Sequence, residues 1–232
     1  MTLGEQDVVA LVEDGAQLIP LDRAVQLYAR ATDTPLAEAA DETIAHRDIA
    51  LFKLHVQMFG QHAAFVEPCA QCGANLEGAL DLAQVIAAAN AAPVDGTIRS
   101  PTSREIAHLM AGAEARVILG ACLGRMVDDV EAAQAEIEAA FPHINVKLAL
   151  ACNECGEQQQ VRFDIARSMW PALEAIAMRW FDDVHRLACA YGWSEREIAA
   201  LPSDRRARYL QRIALSDRSR SGAEAPDVER QP

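Results

Sequence analysis

Two short stretches, Cys69-Ala70-Gln71-Cys72-Gly73 and Cys152-Asn153-Glu154-Cys155-Gly156, decide how the rest of the chain is read. A Cys-x-x-Cys sequence places two thiolates on one tight turn, where they can take two corners of a tetrahedron, and a second such turn supplies the other two. The glycine after each second cysteine admits a positive φ, which lets backbone N–H groups point at the ligating sulfurs. Alternating apolar residues flank both turns. Leu76, Leu80 and Leu82 follow the first; Val146, Leu148 and Leu150 precede the second, and Val161, Phe163 and Ile165 follow it. Period-two alternation predicts strands, so each pair is expected at the tip of a β-hairpin. Two such hairpins around one metal make a zinc ribbon, with Cys69, Cys72, Cys152 and Cys155 as ligands and one structural Zn2+ as cofactor. Four thiolates leave no open position for water or substrate, so such a site stabilises a fold and does not catalyse.

A redox-active Cys-x-x-Cys is expected once, at a strand-to-helix junction where the helix dipole lowers the thiol pKa, whereas both pairs here have strand-like flanks. Structural disulfides suit a cytoplasmic chain poorly. The remaining cysteines, Cys122 and Cys189, fall in apolar helical stretches and are expected as small core residues.

Outward from the cysteines the pattern turns helical. Leu21, Ala24, Val25 and Tyr28 share one face, and a helix is predicted from Thr43 to Phe59 with Gly60 as its cap. The 79 residues between Cys72 and Cys152 predict a helical insertion, opened by a capping box at Thr102 and Glu105. The strongest helix is predicted from Ser168 to Tyr191. Its seam of Trp170, Leu173, Ala177, Trp180, Val184, Leu187 and Tyr191 marks packing against another helix, by preference within the protein's own core. Ser194 and Glu197 form a second capping box, and a last helix is predicted from Ser203 to Leu215. The fold class is therefore α+β, mostly helical, with a small four-cysteine ribbon interrupted by a helical insertion. The organisation runs as an N-terminal helical segment (1–62), a first hairpin (63–84), the insertion (85–141), a second hairpin (142–166), a C-terminal helical segment (167–215) and a polar tail (216–232) expected to be disordered.

Composition agrees with this and narrows function. Of 232 residues 45 are alanine, the best helix former. The net charge of −13 disfavours a nucleic-acid backbone as main partner, since that binding depends on clustered Lys and Arg. Met1 to Leu11 has Glu5 and Asp7 and no basic residue, unlike a secretory signal, so the chain is expected in the cytoplasm. Apolar runs such as Val117 to Leu123 fall far short of the roughly 20 residues that span a bilayer. The six histidines are scattered, with no catalytic constellation and no phosphate loop, so neither an enzyme nor a small-molecule substrate is expected. Arginine gathers near the C-terminus at Arg205, Arg206, Arg208 and Arg212, without an aromatic stacking platform evident in the sequence. Trp193, Arg205, Arg206 and Tyr209 are the candidate partner-binding residues. A zinc-ribbon nucleic-acid-binding or transcription-associated protein is the alternative reading, and a thiol oxidoreductase the third.

Several segments together resemble a known family. His46-Arg47-Asp48-Ile49-Ala50-Leu51-Phe52, ending in Phe59-Gly60, and Cys69-Ala70-Gln71-Cys72-Gly73 with Leu76-Glu77 resemble the N-terminal half of the T-even-phage-type baseplate hub assembly chaperones and their relatives in contractile injection systems. Ser100-Pro101-Thr102-Ser103-Arg104-Glu105 looks like the family's helix opening, and Cys152 to Gly156 with Phe163-Asp164-Ile165 like its second knuckle. Most specific is the run Val184 to Ala188, Tyr191-Gly192-Trp193-Ser194-Glu195, Ile198, Leu201, Arg205-Arg206 and Tyr209-Leu210. The resemblance spans residues 20 to 215. It implies a non-enzymatic helper or component in building the hub and spike of a contractile tail. The implied partners are hub or spike proteins, met in the cytoplasm of a bacterial host cell or in the tail particle itself.

Overall fold

The computed structural model describes residues 3–91 and 96–221, divided into two compact units, residues 1–173 and 174–232. Among the described residues the fold is α+β and mostly helical, with two small two-stranded antiparallel sheets. No helix among the described residues is long and apolar enough to cross a membrane.

Unit 1 begins with α1 (Glu5–Gly15), α2 (Pro20–Thr32), α3 (Leu36–Asp41) and α4 (Ile44–Phe59). The apolar face predicted for α2 is buried through Ala24, Val25 and Tyr28. Helix α4 is the central element of the first segment, contributing Leu51, Phe52 and Leu54 to the core. The first hairpin follows as β1 (His62–Pro68) and β2 (Asn75–Asp81), in register from His62 opposite Asp81 to Pro68 opposite Asn75. Helix α5 (Leu82–Ala91) then starts earlier than the alternation of Leu80 and Leu82 suggested. The Asp81 carboxylate accepts from the N–H groups of Ala83 and Gln84 and so caps the helix.

The insertion is helical as expected: α6 (Ser103–Met110), α7 (Ala115–Leu123) and α8 (Val130–Ala140). It has its own apolar cluster, including Ile118, Leu119, Cys122, Leu123, Val127 and Ile137. The loop before α6 ties it to α4. Pro101 C=O accepts from Ile44 N–H at 2.8 Å, Ser100 Oγ accepts from Ala45 N–H at 3.0 Å, and Thr43 Oγ1 accepts from His46 N–H. The first three N–H groups of α4, orphans by helix geometry, are thus capped largely by a segment more than fifty residues away. Ser100 is fully buried. Ser100→Ala is therefore expected to strand the Ala45 N–H and to cost about 1–3 kcal/mol, read as a lower urea midpoint at unchanged m-value.

A 3-10 turn (Pro142–Asn145) leads into the second hairpin, β3 (Lys147–Ala151) and β4 (Gln158–Arg162). The strand predicted through Phe163 and Ile165 ends at Arg162 instead. Asp164 caps a new helix, its Oδ1 accepting from Arg167 N–H at 2.9 Å, so α9 (Ile165–Tyr191) opens three residues before Ser168. Phe163 turns inward, stacked on Phe52 and edge-on to Phe65, and Arg167 pairs with Glu67 of β1. Within unit 1, Trp170 packs so closely on Gly15 that a Cβ there would lie 2.2 Å from the indole.

Unit 2 holds the rest of α9, with α10 (Glu195–Ala199) and α11 (Ser203–Ser221). Of the predicted seam, Trp170, Leu173, Ala177, Trp180 and Leu187 are buried within this chain, while Val184 is half-buried and Tyr191 exposed. The Ser194–Glu197 capping box is present. Helix α11 runs on to Ser221, so residues 216–221 of the expected tail are helical; residues 222–232 lie outside the described residues.

Candidate metal centre

The two hairpins are built alike at their tips. Cys69 N–H donates to Ala74 C=O and Gly73 N–H to Cys69 C=O; Cys152 N–H donates to Glu157 C=O and Gly156 N–H to Cys152 C=O, all at 2.8 to 2.9 Å. Gly73 (φ 74°) and Gly156 (φ 77°) sit in the left-handed region, as the sequence required of them. The tight turns bring all four sulfurs, Cys69, Cys72, Cys152 and Cys155, within 4.8 Å of one another.

The shortest approaches cross between hairpins: Cys69 to Cys155 and Cys72 to Cys152, each 3.6 Å. A metal–sulfur bond of about 2.3 Å gives a tetrahedral edge of about 3.8 Å, whereas a disulfide needs about 2.05 Å. The spacing therefore fits four sulfurs around one ion and not two covalent bridges. Each hairpin gives one buried cysteine, Cys69 or Cys152, and one exposed cysteine, Cys72 or Cys155. Leu76 is buried beside Cys69 and Cys152, with Ala74 and Leu150 packed against them, so an apolar floor lies under the inner pair.

Backbone dipoles aim at the sulfurs. The N–H groups of Cys72 and Gln71 hydrogen-bond Cys69 and, with smaller help from the neighbouring thiols, bring its pKa down to about 7. Ala74 N–H favours the Cys72 thiolate and Glu157 N–H that of Cys155. Desolvation and the crowding sulfurs nevertheless hold both above the ordinary thiol value, Cys155 at about 12. One thiol thus ionises readily while crowding opposes the next ionisations, because thiolates so close repel. A divalent cation removes that penalty, so binding one must release protons.

One further residue joins the hairpins. Gln159 of β4 reaches the first turn, its Oε1 accepting from Ala70 N–H at 2.8 Å and its Nε2 donating to Pro68 C=O at 3.1 Å. Sequence reading missed it, yet a signal was present. When the two Cys-x-x-Cys-Gly turns are superposed by position, Gln159 stands where the first hairpin has Leu76, a polar residue in place of an apolar one.

The other expected site residues lie in unit 2. Arg206, expected at a partner-binding surface, is buried instead: it is 4% exposed, with its guanidinium 4.6 Å from the Trp180 ring centre and Nε 3.7 Å from Asp183. A cation over an indole, paired to an acid, is an internal packing element. Arg205 is exposed. Trp193 and Tyr209 are half-buried and form a cluster with Tyr191: Tyr191 stacks on Trp193 at 4.7 Å, and Tyr209 meets both edge-on at 5.5 and 4.9 Å. The arginine helix is therefore accompanied by aromatic rings, which linear spacing concealed. Cys122 is buried as expected, and burial pushes its thiol up to about 11; Cys189 is exposed, beside His185, and is not a core residue.

Compared with models of protein families, with curated proteins and with solved structures, the chain shows no match.

Proposed function

We propose that this chain is a non-enzymatic assembly chaperone or structural component for the baseplate hub of a phage-like contractile tail or injection system, acting by protein–protein binding on a scaffold held by one zinc ion. The observation that carries the reading is that four of the segments resembling the hub chaperones, residues 46–52, 69–73, 100–105 and 152–156, help to build the scaffold. Within His46–Phe52 lies the Arg47–Asp48 ion pair, Ser100–Glu105 caps α4, and the two Cys-x-x-Cys-Gly turns bring their sulfurs together. Zinc suits the centre because a d10 ion takes four thiolates at tetrahedral corners without redox chemistry. The ribbon then fixes two hairpins that would be marginal alone as a rigid platform for hub or spike subunits, in the cytoplasm of a bacterial host or in the particle.

The test is co-expression with the hub and spike subunits of a contractile tail. The expected result is a hub subunit that stays soluble and co-purifies with the chain, which itself carries about one zinc per chain, the stoichiometry of a closed four-thiolate site. Failure to hold any tail protein, together with salt-dependent binding of RNA or DNA, would show a nucleic-acid-binding zinc ribbon instead. Gln159→Ala, which removes the clamp between the hairpins, is expected to lower zinc affinity about tenfold, in the range of other outer partners of metal ligands, in a chelator competition.

A further inference from the structure

Charge is divided unevenly between the two units. Residues 174–232 carry ten acidic and ten basic side chains, so the whole net charge of −13 resides in residues 1–173. Within unit 2, α11 concentrates the basic groups: Ser203–Ser221 holds six arginines against two aspartates. Arg206 is consumed internally, but Arg205, Arg208 and Arg212 fall at i, i+3 and i+7, one stripe about 10 Å long on an α-helix. All three residues are exposed, and among the described residues no hydrogen bond or ion pair engages their guanidinium groups. Apolar groups border the stripe on both sides. Tyr209, four residues after Arg205, belongs to the aromatic cluster, and Leu215, seven after Arg208, is 52% exposed.

We infer that this stripe is a docking site for an acidic amphipathic α-helix of a partner protein, its carboxylates at i, i+3 or i+4, and i+7 facing Arg205, Arg208 and Arg212, its apolar residues lying on Tyr209 and Leu215. Guanidinium forks pair with carboxylates bidentately, and matched helical spacing lets all three do so at once. A second copy of the chain does not fit, because no helix among the described residues carries three carboxylates at that spacing. A long polyanion such as nucleic acid would find only three adjacent positive charges to follow, in a unit whose acidic and basic side chains otherwise balance, whereas a short helix ends with the stripe. This inference deepens the proposed function by naming the surface that would hold a hub or spike subunit.

The test has two arms. In the first, full-length protein is titrated with a synthetic helix of about 20 residues, long enough to fold alone, bearing Glu at the matching positions with Leu beside them. The expected result is salt-sensitive binding that weakens about tenfold in R205E/R208E/R212E, while a peptide with Lys for Glu binds that variant instead. An unchanged circular dichroism spectrum shows that the exposed substitutions leave the fold intact. Equal binding to wild type and variant overturns the inference, as does binding of an oligothymidylate in preference to the acidic peptide. In the second arm, the variant replaces wild type in the hub co-expression. Hub capture by wild type but not variant supports the inference. Equal capture by both sinks it and leaves the proposed function standing. No capture by wild type sinks the proposed function, and the peptide titration then decides the stripe by itself.

Discussion

Cys152→Ser is expected to abolish zinc binding and to unfold both hairpins while much of the helical signal remains. The hairpins are two separate two-stranded sheets, and two strands alone are marginal in water. What joins them at their tips is the four-sulfur cluster and the Gln159 clamp. Structural zinc contributes about 10–16 kcal/mol of apparent binding energy in small peptides, comparable to the whole stability of a domain. Serine neither ionises nor binds zinc well, and at this buried position it adds a hydroxyl beside Leu76 and Leu150. The insertion keeps its own apolar cluster, which is why helices persist. The measurements are metal content, expected to fall from about one zinc per chain to none, and limited proteolysis, expected to open at residues 62–81 and 147–162. Cys189→Ser serves as the control, since Cys189 is exposed and stands apart from the cluster. Because the ligands bind as thiolates, the wild type should also release metal as pH falls, each protonation competing with the ion. Full zinc content in Cys152→Ser would overturn the assignment of the centre.

The cysteine turns were legible because their chemistry is local: five residues, two sulfurs and one positive-φ glycine define each knuckle. The helices were legible for the same reason, from spacing and from capping boxes at Thr102 and Ser194. What escaped was set by contacts between distant segments. Asp81 and Asp164 end strands and open helices, but as single acids among alternating apolar residues they read as solvent-facing strand positions. The capping of α4 by Ser100 and Pro101 joins residues far apart in sequence, so nothing near Ile44 announces it. Arg206 looked like its neighbours Arg205 and Arg208; only the fold puts it over Trp180. In the same way Tyr191, Trp193 and Tyr209 become a cluster only after two helices and a turn bring them together.

Arg47→Leu is expected to be the most damaging change away from the cysteines, and its cost should grow with pH. Arg47 donates to Asp48 through Nε at 2.8 Å and Nη2 at 2.7 Å, and through Nη1 to Ser103 of the insertion at 2.9 Å, with both side chains largely enclosed. Burial pushes the Asp48 carboxyl above the ordinary range. Arg47 opposes that rise, Asp164 adds to it, and His143, anchored by Nε2 to Ala45 C=O, opposes it weakly. Removing one partner of a buried ion pair costs about 3–5 kcal/mol, since the other charge is left uncompensated. The sign of the pH dependence follows from that charge. Asp48 has a raised pKa in the folded state, so between its unfolded and folded values the native protein holds the extra proton and stability falls as pH rises. Without Arg47 the folded value rises further and the window widens upward. The deficit of Arg47→Leu relative to wild type should therefore be small near the unfolded aspartate value of about 3.9 and should increase toward neutrality. Taking the difference from wild type at each pH removes the contribution of the metal ligands, which is common to both. In the double variant R47L/D48L both ions are gone, so much of the stability should return, a coupling that urea unfolding of the full cycle can measure. A deficit that is flat in pH, or a double variant less stable than the sum of its parts, would mean that Arg47 acts through its bond to Ser103 and not through the Asp48 charge.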